Sequence, residues 1–290
     1  MIYSIGGHNI CIELFSGDDI LRRVLTSFEP FKSKEKDNII LSIDIVEELY
    51  DMDESSCRLT KEVDTGNGII RVSKFVDGKY KFQIFDIDGR DCATAVCSQT
   101  FDKCVCRIDA PGSMVRFALN NVIMLAYAFC SAQYGTLLIH ASVVRHNNVA
   151  YAFTAKSGTG KSTQVANWMK AVEGCDIIND DNPVVRVIDG KVMLYGSPWS
   201  GKTPCFRAVC VPLAALMLIK RDERNFVEEQ KPLIAFSTLL TACSAMKWDE
   251  TLFQQICETV TRIVESIKIA ELHCLPDMES ALVCKEYLEG

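Results

Sequence analysis

Val149-Ala-Tyr-Ala-Phe-Thr154, followed without a break by Ala155-Lys-Ser-Gly-Thr-Gly-Lys-Ser-Thr163, is the stretch that decides the fold. An apolar run enters a glycine-rich turn, and helical spacing resumes from Lys161 to Val172, so the order strand–loop–helix is expected. Ala155 to Ser162 fit the phosphate-binding pattern G-x-x-x-x-G-K-S/T, except that Ala155 stands at the first glycine. Gly158 and Gly160 allow successive backbone N–H groups to turn inward as an anion-binding nest. A helix starting near Lys161 adds roughly half a positive charge at its N-terminus. Ser157, Gly158, Thr159, Gly160, Lys161, Ser162 and Thr163 are therefore the expected nucleotide-binding residues. Lys161 carries a full charge to the β- and γ-phosphates, and Ser162 offers its hydroxyl to Mg²⁺. If the first position of the loop requires positive φ, Ala155 would be strained there.

Asp180-Asp181 follows nineteen residues after Lys161, at the end of a short apolar stretch. Adjacent carboxylates about 4 Å apart repel by about 4 kcal/mol at an effective dielectric of about 20. A divalent cation relieves that repulsion, so one Asp is suited to a metal and the other to taking a proton from an attacking hydroxyl. Asn179-Asp-Asp-Asn-Pro183 is also good turn chemistry, so the pair takes its meaning from the glycine loop upstream. His140 lies in an apolar strand beside the strand that feeds the loop, either as a hydrogen-bonded core residue or near the phosphates. Gly196-Ser-Pro-Trp-Ser-Gly-Lys202 reads as a loop. Within it Trp199 is a candidate wall for a base or substrate and Lys202 a candidate phosphate contact, or the segment is a structural loop with a packed Trp.

Outward from this centre the chain falls into two parts. Residues 1–112 are β-rich, with hairpin signals at Asp77-Gly78 and Asp88-Gly89, where both turn positions are expected at positive φ. Ile39 to Ile45 reads as a further strand, and Ser16 to Phe28 as a short amphipathic helix. Residues 113–290 form the second domain, opening with a helix from Met114 to Tyr134 that is expected to pack onto it. Leu137 to Val144 and Asp176 to Asn179 read as strands, with a turn at Asn147-Asn148 and a hairpin around Asp189-Gly190. Leu213 to Lys220 is expected to be a central strand, and the remainder mainly helix (Leu233–Ala245, Asp249–Ile267, Met278–Leu288). The fold class is α/β (α+β overall).

Of 290 residues, 48% are hydrophobic and 24% charged, which is globular and not disordered composition. A net charge of -7, with no dense Lys/Arg run, disfavours nucleic acid and anionic membrane as partners. Phe117 to Val144 lacks Asp, Glu, Lys and Arg, yet Asn120, Asn121, Gln133 and His140 are costly in lipid, so it reads as a buried helix and strand. The N-terminus has no basic segment followed by an apolar one, as a signal peptide would. Fourteen scattered cysteines contain no Cys-x-x-Cys spacing, which implies free thiols in a reducing, cytoplasmic compartment.

Taken together, His140-Ala-Ser-Val-Val, Ser157-Gly-Thr-Gly-Lys-Ser162 and Asp180-Asp181 resemble the catalytic core of the HPr serine kinase/phosphorylase family over residues 135–220. That resemblance implies a P-loop catalytic domain of the phosphoenolpyruvate carboxykinase-like nucleotide-binding fold. It also implies ATP- and Mg²⁺-dependent phosphorylation of a Ser or Thr hydroxyl, and a homo-oligomer. Carried over, Lys161 binds the phosphates, Ser162 the metal, Asp180 activates the acceptor hydroxyl, Asp181 assists the metal and His140 lies close to the transferred phosphate. Thr163 departs from the acidic residue of the HPr enzyme, and that enzyme's C-terminal signature is not recognisable. The Ser197–Lys202 loop and the N-terminal region look instead like those of HPr-kinase-like proteins found beside modified-peptide biosynthesis genes. The expected acceptor is thus a peptide or small hydroxylated metabolite. Two other readings remain: a carboxykinase-type reaction on an oxo acid, and a non-catalytic, nucleotide-gated peptide-binding module whose β-rich region adds a peptide strand.

Overall fold

The computed structural model describes residues 1–14, 23–49, 54–156, 158–201 and 203–290. The chain divides into two units, Met1–Ser131 and Ala132–Gly290. The first holds one eight-stranded sheet, built from β1 (Ile2–Ile5), β2 (His8–Leu14), β3 (Ile39–Ile45), β4 (Cys57–Asp64), β5 (Gly68–Phe75), β6 (Tyr80–Asp86), β7 (Asp91–Cys97) and β8 (Lys103–Ile108). Its strand order is β1-β2-β3-β8-β7-β6-β5-β4. β3 runs parallel to both neighbours, whereas β4 to β8 form an antiparallel meander.

The aspartate–glycine turns of this meander differ from the expected form. Gly78 and Gly89 take φ of 89° and 77°, but neither Asp77 nor Asp88 has positive φ. Each glycine closes a three-residue loop: Gly78 N–H bonds Phe75 O at 3.0 Å, and Phe75 N–H bonds Lys79 O at 2.9 Å. Only one left-handed residue is needed there. Of the expected helix Ser16–Phe28, residues 16–22 lie outside those described, and Leu25–Phe31 is a 3₁₀ turn.

The boundary also moves. Helix α1 (Val115–Ala132), expected in the second domain, packs on the first unit's sheet. Tyr127 Oη donates to Ile5 O at 2.9 Å, and the Phe129 ring lies 5.8 Å from Phe82 and 5.4 Å from Phe101. The β-rich region leaves an apolar sheet face that needs a cover, and α1 is its cover. By length and composition α1 could cross a membrane, yet 67% of it is buried within the protein. This agrees with the reading of a core helix.

The second unit comprises β9 (Thr136–Leu138), β10 (Ala141–His146), β11 (Val149–Thr154), α2 (Lys161–Ala171), β12 (Asp176–Asp181), β13 (Val184–Ile188), β14 (Lys191–Tyr195), β15 (Cys210–Arg221), β16 (Phe226–Glu229), α3 (Pro232–Ala242), α4 (Glu250–Val264), β17 (Lys268–Cys274) and α5 (Glu279–Glu289). Its strands join as β12-β10-β11-β15-β14-β13-β9, with β17 also on β15 and β16 on β17. β11, β15 and β17 run parallel and form the centre. Side-chain alternation divides the core in two. Ala150, Ala152, Leu213 and Leu216 face Leu239, Ile256 and Val260 of α3 and α4. Tyr151, Phe153, Ala215 and Met217 face Val165, Trp168, Ala281 and Cys284 of α2 and α5. Helices thus cover both faces, as a buried parallel centre requires.

The three helices expected after Leu213–Lys220 are present as α3, α4 and α5, but the sequence reading missed two strands there, β16 and β17, the latter inserted parallel to β15. Its burial comes from neighbours remote in sequence, so its own pattern is a weak strand signal. The single strand expected over Leu137–Val144 is two strands. β9 pairs with β13 while β10 pairs with β11 and β12, and His140 sits in the break with its N–H on Ala242 O at 2.7 Å.

Candidate functional site

β11 delivers the chain into the glycine loop, and α2 leaves it at Lys161. Gly158 has φ 75° and Gly160 φ 137°, conformations that side-chain-bearing residues rarely adopt. A Cβ at either glycine would meet no atom within 4 Å, so conformation and not crowding selects glycine there. Ala155 does not take positive φ, and its methyl packs with Phe153 and Val165. The strain considered for this departure is therefore absent. Thr159 N–H closes the turn on Lys156 O at 3.1 Å, and Gln164 N–H reaches Gly160 O at 2.9 Å as the helix begins. Thr163 follows on the exposed first turn of α2. Ser157 lies outside the described residues.

β12 sits beside β10, in register Ala141↔Asp181 and Ser142↔Asp180, so both carboxylates arrive at the strand end next to the loop. The two are held differently. Asp180 is 4% exposed; its Oδ1 accepts from Ser142 Oγ at 2.6 Å and from Ser162 Oγ at 3.4 Å. Its Oδ2 accepts from Thr203 N–H at 3.3 Å. The Asp181 side chain is 33% exposed, with Oδ1 at 3.0 Å from His140 Nδ1. Asn182 Nδ2 donates to Asp181 Oδ2 at 2.7 Å.

Lys161 connects loop and carboxylates. Its Nζ lies 2.7 Å from His140 Nε2 and 3.4 Å from Ala155 O. An ammonium only donates, so His140 Nε2 accepts from Lys161 and the Nδ1–H donates to Asp181 Oδ1. Burial pulls the Lys161 pKa below the ordinary lysine value, and Asp181 and Asp180 counter part of that pull.

The segment Gly196–Gly201 braces this arrangement. Asn179 Nδ2 donates to Trp199 O at 3.1 Å and Ser197 Oγ to Asn182 O at 2.6 Å. Gly201 N–H meets Asp180 O at 2.5 Å. Trp199 is 4% exposed, so its ring packs inward and offers little surface as a substrate wall. Lys202 lies outside the described residues. Sequence reading missed Ser142 and Thr203, which hold Asp180 in place. It also missed Arg221, whose Nε donates to Thr159 O at 3.2 Å and whose Nη2 donates to Gly158 O. Arg221 ends the apolar run that marks β15, and that position was its only sequence signal.

Carboxylate and hydroxyl oxygens at Asp180 and Ser162 form a donor pair suited to a hard cation such as Mg²⁺. The loop's glycine conformations, the start of α2 and the Lys161 ammonium suit a polyphosphate. No family model and no curated protein matches the chain. Among solved structures it is similar to the HPr(Ser) kinase/phosphatase from Coxiella burnetii at 8% identity and a TM-score of 0.32, over 52% of this chain and 93% of that one. A likeness at that level carries no weight for function, so the functional reading rests on the geometry of the site.

Proposed function

We propose that the second unit binds Mg-ATP at residues 157–163 and transfers the γ-phosphoryl group to a Ser hydroxyl of a peptide, protein or small hydroxylated metabolite. The observation that supports this most is the meeting of Lys161, Ser162, Asp180 and Asp181 at the mouth of a glycine nest. Those are the parts phosphoryl transfer needs, since its rate comes mainly from positioning and electrostatics. Bound Mg²⁺ would supply charge neutralisation between the β- and γ-phosphates.

The carboxylate roles are better assigned in reverse of the sequence-based order. Asp180, buried and sharing Oδ1 with the Ser162 hydroxyl, belongs on the metal side. Asp181 is reachable from solvent and paired with His140, so it is placed to take the proton of the acceptor hydroxyl. His140 then orients that carboxylate and holds Lys161. The unpaired thiol spacing goes with a reducing cytoplasmic setting, and the acidic net charge with an acceptor other than nucleic acid.

The test incubates the protein with Mg-ATP and candidate hydroxylated peptides, and reads added phosphate by mass spectrometry. Asp181→Asn is expected to keep Mg-ATP binding and to lose transfer by about 100-fold or more. Asp180→Asn is expected to weaken the Mg²⁺ dependence of binding itself. Full transfer activity in Asp181→Asn would return the base to Asp180. Binding with no turnover on any acceptor would favour the nucleotide-gated binding module.

A further inference from the structure

Arg221 lies outside every residue assigned above to phosphate, metal or acceptor, yet it is the side chain that grips the glycine loop from behind. β15 runs parallel to β11 with Thr154 opposite Leu218, so the chain at Arg221 has advanced level with the loop. From there the guanidinium donates to two consecutive carbonyls, Gly158 O and Thr159 O. A trans peptide points its C=O and N–H in opposite directions. Holding the Thr159 carbonyl toward Arg221 therefore turns the Gly160 N–H away from it, toward the concave side of the loop. Holding the Gly158 carbonyl likewise sets the Thr159 N–H where it closes on Lys156 O at 3.1 Å. Glycine at positions 158 and 160 permits several peptide orientations, and an unclamped loop would lose nest geometry to them.

We infer that Arg221 is a positioning residue for nucleotide binding: it locks the Gly158–Thr159 peptide in its turn and aims the Gly160 N–H into the loop before the phosphates arrive. This rests on the proposed nucleotide site. Arg221 touches no reacting atom. It lowers the ordering cost of binding, so its effect belongs on affinity and not on the transfer step.

The test compares wild type, Arg221→Gln and Arg221→Lys by calorimetric titration with Mg-ATP and Mg-ADP, by hydrogen exchange of residues 155–164 without nucleotide, and by kcat at saturating Mg-ATP. Arg221→Gln is expected to weaken ATP and ADP binding by the same factor, about tenfold. It should speed exchange at Thr159, whose N–H is held on Lys156 O, and leave kcat within about twofold. Arg221→Lys is expected to recover part of the affinity, since an ammonium on a flexible stem replaces the planar fork incompletely. Unchanged affinity and exchange in Arg221→Gln would overturn the inference. So would a loss confined to ATP, which would place the guanidinium on the γ-phosphate, or a fall in kcat alone. Failure of the wild type to bind Mg-ATP would overturn the nucleotide reading and the affinity claim with it. The exchange measurement needs no nucleotide and decides the clamp separately.

Discussion

Lys161 shows how one residue's surroundings set its chemistry. Burial depresses its pKa, and the nearby carboxylates restore only part of the shift. The ammonium is the form that attracts phosphate, so nucleotide affinity should hold at neutral pH and fall as pH rises through the lowered pKa, before an ordinary lysine would titrate. Bound phosphates raise that pKa again, so binding in this window should take up protons. Titrations in buffers of different ionisation enthalpy measure that uptake, and an affinity flat with pH up to the ordinary lysine range would contradict it. Ser142 provides the complementary case. Its hydroxyl is buried and donates to Asp180 at 2.6 Å. Ser142→Ala leaves that carboxylate oxygen short of a donor, at a cost of about 1.5–3 kcal/mol. Denaturant titration should register the loss, and phosphoryl transfer should fall with it.

Among the elements, the segment Gly196–Gly201 matters most to the carboxylates. A Cβ at Gly201 would sit 2.8 Å from Asp180 O, and at Gly196 it would sit 2.0 Å from Arg207 O. Neither contact can be relieved by rotating a side chain, because both obstacles are backbone. Gly201→Ala must push β12 away from the loop, costing about 1–3 kcal/mol. A displacement of about 1 Å at a reacting group costs about 100-fold in rate. On the proposed function, transfer should therefore drop far more than the thermal midpoint of Gly201→Ala suggests, while Mg-ATP affinity, assigned there to the loop after β11, changes less. Comparable losses in both would argue for general unfolding. The hairpin turns carry a second lesson at this scale. Asn147-Asn148 and Asp189-Gly190 place both residues at positive φ, while Asp77-Gly78 and Asp88-Gly89 place only the glycine there. The same dipeptide serves both turns, since the flanking register decides how many residues the loop contains.

For the whole molecule, charge and thiol placement give two measurable consequences. Arg145 binds Asp176 through Nε at 2.9 Å and Nη2 at 2.6 Å, and Arg207 adds Nη1 at 2.7 Å, joining β10, β12 and the approach to β15. The Arg145 hydrogen bonds, aided by Arg207, hold the Asp176 carboxyl below its usual range. A carboxylate depressed in the folded state stabilises above its unfolded pKa and loses that contribution as pH falls through the folded value. Asp176→Asn should thus cost about 1–2 kcal/mol at pH 7 in this partly exposed network. The gap to wild type should close below about pH 4, as urea titrations at the two pH values can show. Cysteines divide by depth. Cys210 is exposed, whereas Cys97, Cys106, Cys130, Cys243 and Cys284 are buried. Burial pushes Cys243 up to about 12. A maleimide should label Cys210 first and reach the buried thiols only on unfolding; rapid native labelling of Cys243 would contradict the packing.

The glycine loop, its feeding strand and its helix were legible in the sequence because their pattern is local: Gly158, Gly160, Lys161 and Ser162 lie within one short stretch between an apolar run and helical spacing. Asp180-Asp181 was legible as a pair for the same reason. What only the tertiary structure decided was how those carboxylates differ, since Ser142, Ser162 and Thr203 reach Asp180 and His140 reaches Asp181 across strands and loops remote in the chain. The splitting of the strand at His140, the insertion of β17 and the assignment of α1 to the first unit followed equally from partners far away. Local pattern sets what a segment can become; burial against distant neighbours, which no short window contains, sets where it goes and what its side chains touch.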